Sequence, residues 1–198
     1  MLSEVQNAPD REIGVNRSRR RSMLAKLRQM RRDRNAMAAV EFALVAPILM
    51  ALYFGITEIG DAVVVYTKVT HTASAINDLV SQAKSITNAD MASIFSAASS
   101  IMVPKSTSNL TIVVTAIQTD AASKATVAWA DGLHKTPPAK NSSYTLPANL
   151  VAPNAFYVDA KVVYTYQPLI GFWFPTAVPL SRESYLLPRN TSAITRIP

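Results

Sequence analysis

Apolar positions crowd into one long block near the start of the chain. From Ala36 the sequence reads AMAAVEFALVAPILMALYFGI, and between Arg34 and Glu58 the sole charge is Glu41. The block is apolar all the way round a helical turn, whereas a helix on the surface of a soluble core keeps a polar side. As a helix, Met37–Thr57 is about 31 Å long at roughly 1.5 Å per residue, which matches a hydrocarbon core of about 30 Å. A membrane-spanning helix over 37–57 is predicted. Pro47 removes a backbone donor inside it, so a mild kink is expected there. Beyond the block Val69, Ala73, Ile76, Val80 and Ala83 recur at helical spacing. One helix from about Asn35 to Ser85 is therefore expected, its first half in lipid and its second half covering an external domain. Gly60, about 1 kcal/mol less favourable than Ala in a helix, is expected to mark a bend at the membrane surface.

The pattern then changes period. Asn88 is a candidate N-cap for a short helix over Ala89–Ile101, closed by Pro104. Leu110–Gln118 (LTIVVTAIQ) is rich in β-branched residues and Lys124–Trp129 alternates, with a hairpin-sized connection between them. Asp131–Pro153 reads as loop. Ala155–Tyr166 alternates, with Phe156, Val158, Ala160 and Val162 on one face and Tyr157, Asp159, Lys161 and Val163 on the other. Val178–Leu187 is a fourth strand. The expected class is α+β: a long N-terminal helix, a short helix and an antiparallel sheet of about four strands. The corresponding segments are a leader over 1–36, a spanning helix over 37–57, a helical extracytoplasmic segment over 58–103 and a β-rich extracytoplasmic domain over 104–198. No internal repeat is visible. Between the last strands, Leu169-Ile170-Gly171-Phe172-Trp173-Phe174-Pro175 is an apolar aromatic cluster that suits packing against the sheet or helix, or a contact with a subunit or the membrane interface.

Charge sharpens this picture. The net charge of the 198 residues is +7, but Met1–Ala36 holds ten Lys/Arg against four acids and carries +6 of it. After the block only Lys68 and Lys84 follow within thirty residues. This asymmetry predicts a cytoplasmic N-terminus and an exported C-terminal domain. Topology and contact with anionic lipid account for the arginines, so no nucleic-acid partner is called for. A secretory signal has a shorter apolar region of roughly 7–15 residues, and the arginines of Ser18–Ser22 lie too far upstream for a twin-arginine signal. Charged residues are only 17% of the chain, below the roughly 25% usual in soluble domains.

Chemistry-bearing clusters are scarce. With no cysteine, disulfides and thiol chemistry are excluded. His71 and His134 lack metal-ligand spacing, and the sequence has no Gly-rich phosphate loop or nucleophile elbow. Neither enzymatic activity nor a cofactor or metal is expected. Glu41 is the unusual residue. A carboxylate at the centre of a spanning helix costs roughly 2.5–3.5 kcal/mol. Glu41 lies nearer the cytoplasmic end, where it is either a tolerated boundary acid or a group with a partner.

Three stretches carry a family resemblance: Arg31-Arg32-Asp33-Arg34-Asn35-Ala36, then Met37-Ala38-Ala39-Val40-Glu41-Phe42, then Ala43-Leu44-Val45-Ala46-Pro47. Together they resemble the start of TadE-like proteins, the minor pilin-like (pseudopilin) components of the bacterial Tad/Flp pilus system. The resemblance is strongest over about Arg31–Gln82, including Asp78-Leu79-Val80-Ser81-Gln82. It continues weakly through Tyr164-Thr165-Tyr166-Gln167-Pro168 to Leu187-Pro188-Arg189. It implies cleavage by a prepilin-type peptidase between Ala36 and Met37, with Ala36 standing where the family usually has Gly. It also implies an assembly role for Glu41, followed by Phe42. Its implied partners are the inner membrane, the peptidase, other pilus or pseudopilin subunits and the assembly platform. Cleavage would leave an ammonium on Met37, four residues from Glu41 and on the same helix face. That amine or a neighbouring subunit's would neutralise the carboxylate in low dielectric. The competing function class is a permanently membrane-tethered extracytoplasmic binding domain of another envelope system.

Overall fold

The computed structural model describes residues 34–168, 170–171 and 176–198. The leader arginines up to Arg32, and Leu169 and Phe172–Pro175 of the aromatic cluster, lie outside the described residues. The chain falls into two units, the first ending at Tyr53 and the second running from Phe54 to Pro198.

The first helix, α1 (Arg34–Gln82), is continuous over 49 residues and contains Pro47. It is long and apolar enough to cross a membrane. In the first unit its side chains are exposed on every side, among them Leu44 at 70% and Tyr53 at 65%. Neither Pro47 nor Gly60 ends the helix. A Cβ added at Gly60 would meet nothing within 4 Å, so the glycine serves no close approach.

In the second unit α1 buries one stripe. Val65, Val69, Ala73 and Val80 are wholly buried and Ile76 nearly so, while Ala83 is partly buried against the same core. Each buried Val or Ile side chain contributes roughly 1.5–3 kcal/mol through burial. The chain then forms a two-residue strand β1 (Ser85–Ile86), helix α2 (Asn88–Ile101) and strands β2 (Leu110–Thr119), β3 (Ala125–Leu133), β4 (Phe156–Tyr166), β5 (Val178–Leu186) and β6 (Thr195–Arg196). Four of them make an antiparallel sheet in the order β3-β2-β4-β5. The expected α+β class is therefore found. The two short strands β1 and β6 pair parallel in a separate ribbon that the sequence pattern did not predict.

Local chemistry moves two boundaries. The N-cap of α2 is Thr87 rather than Asn88. Its hydroxyl accepts from the Asp90 N–H at 3.2 Å, while the Asp90 carboxylate accepts from the Thr87 N–H at 2.9 Å. This reciprocal capping box satisfies two otherwise orphaned donors. Strand β3 runs past Trp129 to Leu133, because Ala130, Asp131 and Gly132 pair with Thr115, Val114 and Val113. The register shifts between Ala116 and Ile117, so the odd residue Ala128 forms a bulge.

One face of the sheet packs on the helices. Ile112, Val114, Ala116, Trp129, Val158, Ala160, Val162, Tyr164 and Tyr166 join the helical stripe with Met91 and Ala98. The other face is partly covered by the β3–β4 connection, residues 134–155, whose Leu146, Leu150 and Tyr144 pack on Ile117, Ala125 and Tyr157. We call this connection the strap. Its start lies close to Gly132, where a Cβ would come 2.1 Å from the Lys135 carbonyl oxygen.

Candidate functional site

The residues singled out by sequence for processing and assembly all lie on the described part of α1 that belongs to the first unit. Ala36, Met37, Glu41 and Phe42 are helical, so the peptide between Ala36 and Met37 is helical too. Met37 and Glu41 share a face, about 6 Å apart along the axis at roughly 1.5 Å per residue. Met37 is 61% exposed and Phe42 is 69% exposed, and Glu41 is exposed beside them. Among the described residues, no hydrogen bond or ion pair engages the Glu41 carboxylate. The helix thus presents one acid on an otherwise apolar surface, at a spacing that suits a cation on residue 37 or on another helix.

The second unit holds three polar groupings that sequence reading did not assemble. The first surrounds Glu58, the acid that ends the apolar block and is only 4% exposed. The Gly171 N–H donates to its Oε1 at 2.9 Å, and the Tyr166 hydroxyl donates to its backbone carbonyl at 3.3 Å. Beside it Lys105 pairs with Asp61 at 2.7 Å, with its Nζ 5.9 Å from the centre of the Tyr166 ring. Burial, followed by the influence of Asp61, pushes the Tyr166 phenol up to about 12. About two turns further along α1, Lys68 donates to the carbonyls of Ile101 and Val103 at the end of α2, where a cation complements the helix dipole.

The second grouping joins stretches far apart in sequence. Arg189 pairs with Asp78 at 2.6 Å, and its N–H donates to the Ser81 carbonyl at 2.8 Å. Asn190 donates to the Gln82 carbonyl. The structure thus brings two stretches more than a hundred residues apart, Asp78–Gln82 and Leu187–Arg189, together at the end of α1. Nearby, Arg196 donates to both carboxylate oxygens of Asp131, at 2.7 and 3.1 Å, and to Asn88 Oδ1 at 2.6 Å. It also donates to the Ile86 carbonyl, and the Trp129 indole donates to the Ile194 carbonyl.

The third grouping lies under the strap. Asp159 on β4 is 1% exposed. Its Oδ2 accepts from the Tyr144 hydroxyl at 2.8 Å, and its Oδ1 has no hydrogen-bond partner. The alternation in Ala155–Tyr166 places Asp159 on this face. Its burial follows from the strap, whose apolar anchors Tyr144, Leu146 and Leu150 are the one sequence signal for it.

Among the described residues, no cluster of three or more His, Asp or Glu is placed to hold a metal. His71 is exposed on α1, and His134 contacts the Leu110 carbonyl through Nδ1 at 2.9 Å. Comparison with the curated proteins and with the solved structures gave no match. Residues 36–76 match the family model described as TadE-like protein. The match begins at Ala36, takes in Met37, Glu41, Phe42 and Pro47, and ends at the buried Ile76 of α1. Over that stretch the chain is similar to TadE-like proteins, in a helix of a length and composition that fit a single-pass membrane protein.

Proposed function

We propose that the protein is a minor pilin-like (pseudopilin) component of a Tad/Flp-type pilus assembly system, a non-catalytic subunit matured by a prepilin-type peptidase. The observation that carries this reading is Glu41: a lone exposed acid on an apolar helix, inside the TadE-like stretch and one turn from Met37. A permanent anchor gains nothing from an acid that opposes insertion. A subunit destined to leave the bilayer gains an easier exit and, when the acid meets an amine on a neighbour, a fixed register. The basic residues before Met37 hold the N-terminus in the cytoplasm, and the second unit is exported. Its partners are the inner membrane, the peptidase, other pilin-like subunits and the assembly platform.

The test is the mature N-terminus. Mass spectrometry of the protein from a piliated strain is expected to find a chain beginning at Met37, and Ala36→Asp is expected to leave it uncut. Glu41→Val is expected to keep the protein in the membrane while impairing pilus assembly. A chain that retains Met1 in assembled, piliated cells would replace this reading with that of a permanently tethered extracytoplasmic binding domain.

A further inference from the structure

The outer face of the sheet contains a feature that the N-terminal helix does not explain. Asp159 is a buried carboxyl with a single hydrogen-bond partner, and that partner belongs to the strap. The strap is otherwise held by neutral contacts. Val127 N–H donates to the Ser142 carbonyl at 3.0 Å, Asn141 N–H to the Val127 carbonyl at 2.8 Å and Tyr144 N–H to the Ala125 carbonyl at 3.0 Å. Leu146 and Leu150 add apolar packing. The charged neighbours of Asp159 cancel rather than compensate it. On its own strand, Lys161 is ion-paired with Glu183 of β5. From β5, Tyr185 sits opposite Asp159 in the register and donates to Glu183 at 3.3 Å. From β2 the opposing residue is the neutral Thr115. From the strap comes Tyr144.

We propose that the strap is a proton-responsive cover on the sheet, latched by Asp159 and Tyr144, which closes firmly in acid and loosens as Asp159 ionises. A protonated Asp159 is neutral and keeps its bond to Tyr144 at little cost in desolvation. An ionised Asp159 is a buried charge with one bare oxygen, and water becomes its best partner. Opening the strap admits that water and uncovers Ile117 and Tyr157. Three further facts agree. Burial pushes Asp159 up to about 6, with the Tyr144 hydrogen bond opposing that rise. Burial also pushes the Tyr144 phenol up, so the hydroxyl remains a donor across this range. The titration thus falls on the carboxyl alone. The latch lies wholly in the second unit and is independent of the pilin reading.

The test is amide hydrogen exchange, followed by mass spectrometry on the full chain in detergent micelles. Protection factors are corrected for the intrinsic pH dependence of exchange. In the wild-type protein, peptides covering residues 139–146 are expected to be about tenfold better protected at pH 5 than at pH 7.5, the change that linkage gives for a group moving from an ordinary carboxyl value to about 6. Peptides from β2 report the unperturbed core. Asp159→Asn is expected to abolish the pH dependence. Tyr144→Phe is expected to retain it while lowering protection at both pH values. Wild-type protection that does not change with pH, or a tenfold change that persists in Asp159→Asn, overturns the proposal. If Asp159→Asn does not fold, the wild-type profile and Tyr144→Phe still decide: strap protection unaltered in Tyr144→Phe removes that residue from the latch.

Discussion

The two halves of α1 share one continuous backbone and are opposites in every other respect. From Met37 to Tyr53 the helix is apolar on every side but for Glu41, and most of its side chains are exposed. From Phe54 to Gln82 it hides Val65, Val69, Ala73, Ile76 and Val80 against the sheet, while Thr67, His71 and Ser74 face outward. Helix propensity does not separate them, since both contain β-branched residues and a helix-weakening Pro or Gly. The distribution of polar residues around the turn does. A helix with a polar side needs a protein core for its other side, whereas a helix with none needs an apolar solvent.

Matched substitutions break this comparison most directly. Ile76→Asp places a charge in the core and is expected to cost at least about 4 kcal/mol, enough to unfold the second unit. Leu49→Asp is expected to leave the thermal unfolding of that unit unchanged and to weaken membrane insertion by roughly 2.5–3.5 kcal/mol. Circular dichroism melts in detergent and carbonate extraction from membranes read the two effects. Equal losses of melting temperature in both variants would dissolve the distinction between the halves.

A pH series sharpens it within the second unit. The folded value of Asp159 lies above its ordinary one, about 6 against 3.8. Its contribution is therefore fully present below about pH 4 and is lost as pH rises through 6, a loss of up to about 3 kcal/mol. Urea midpoints from pH 4 to pH 7.5 are expected to fall in the wild-type protein and to fall less in Asp159→Asn. Membrane association should be unaffected by this group.

Smaller effects follow from the two ends of the second unit. Arg196→Ala removes a largely buried guanidinium that donates to four residues, Asp131, Asn88, Ile86 and Ile197, and leaves Asp131 without its ion pair. The expected cost is about 2–3 kcal/mol, measured by urea denaturation. Thr87→Ala removes the capping box of α2 at a cost of about 1 kcal/mol, seen as a small shift of the same midpoint. Neither variant should change extraction from the membrane. If either does, the second unit contributes to anchoring as well.

Much of this architecture was readable in the residues. Periodicity marked α1, β3 and β4, because burial on one face imposes a period that side chains must obey, while β2 was marked by its run of β-branched residues. The assignment of Glu41 and its neighbours rested on a local motif, and locality made it visible. What escaped had no period. β1 and β6 are two residues each, and their pairing depends on a side chain, Arg196, reaching elements that sequence distance separates. Asn88 is as good a cap as Thr87 by residue type, and only the spacing of Asp90 from Thr87, which completes the capping box, decides between them. The burial of Asp159 escaped because it depends on the strap, and Asp131–Pro153 reads as loop.

The ribbon between β1 and β6 has a consequence for how the unit is made. Ile86 and Arg196 stand 110 positions apart, so the clasp at the base of α2 brackets every strand of the sheet. A chain that emerges N-terminus first can build α1, α2 and the β2–β3 hairpin early. The clasp has to wait for its last member, after everything between has emerged, and such long-range pairing is slow compared with local contacts. During that interval Trp129 lacks its Ile194 acceptor and Asp131 its guanidinium. The unit is thus complete only once residues 194–196 have been delivered.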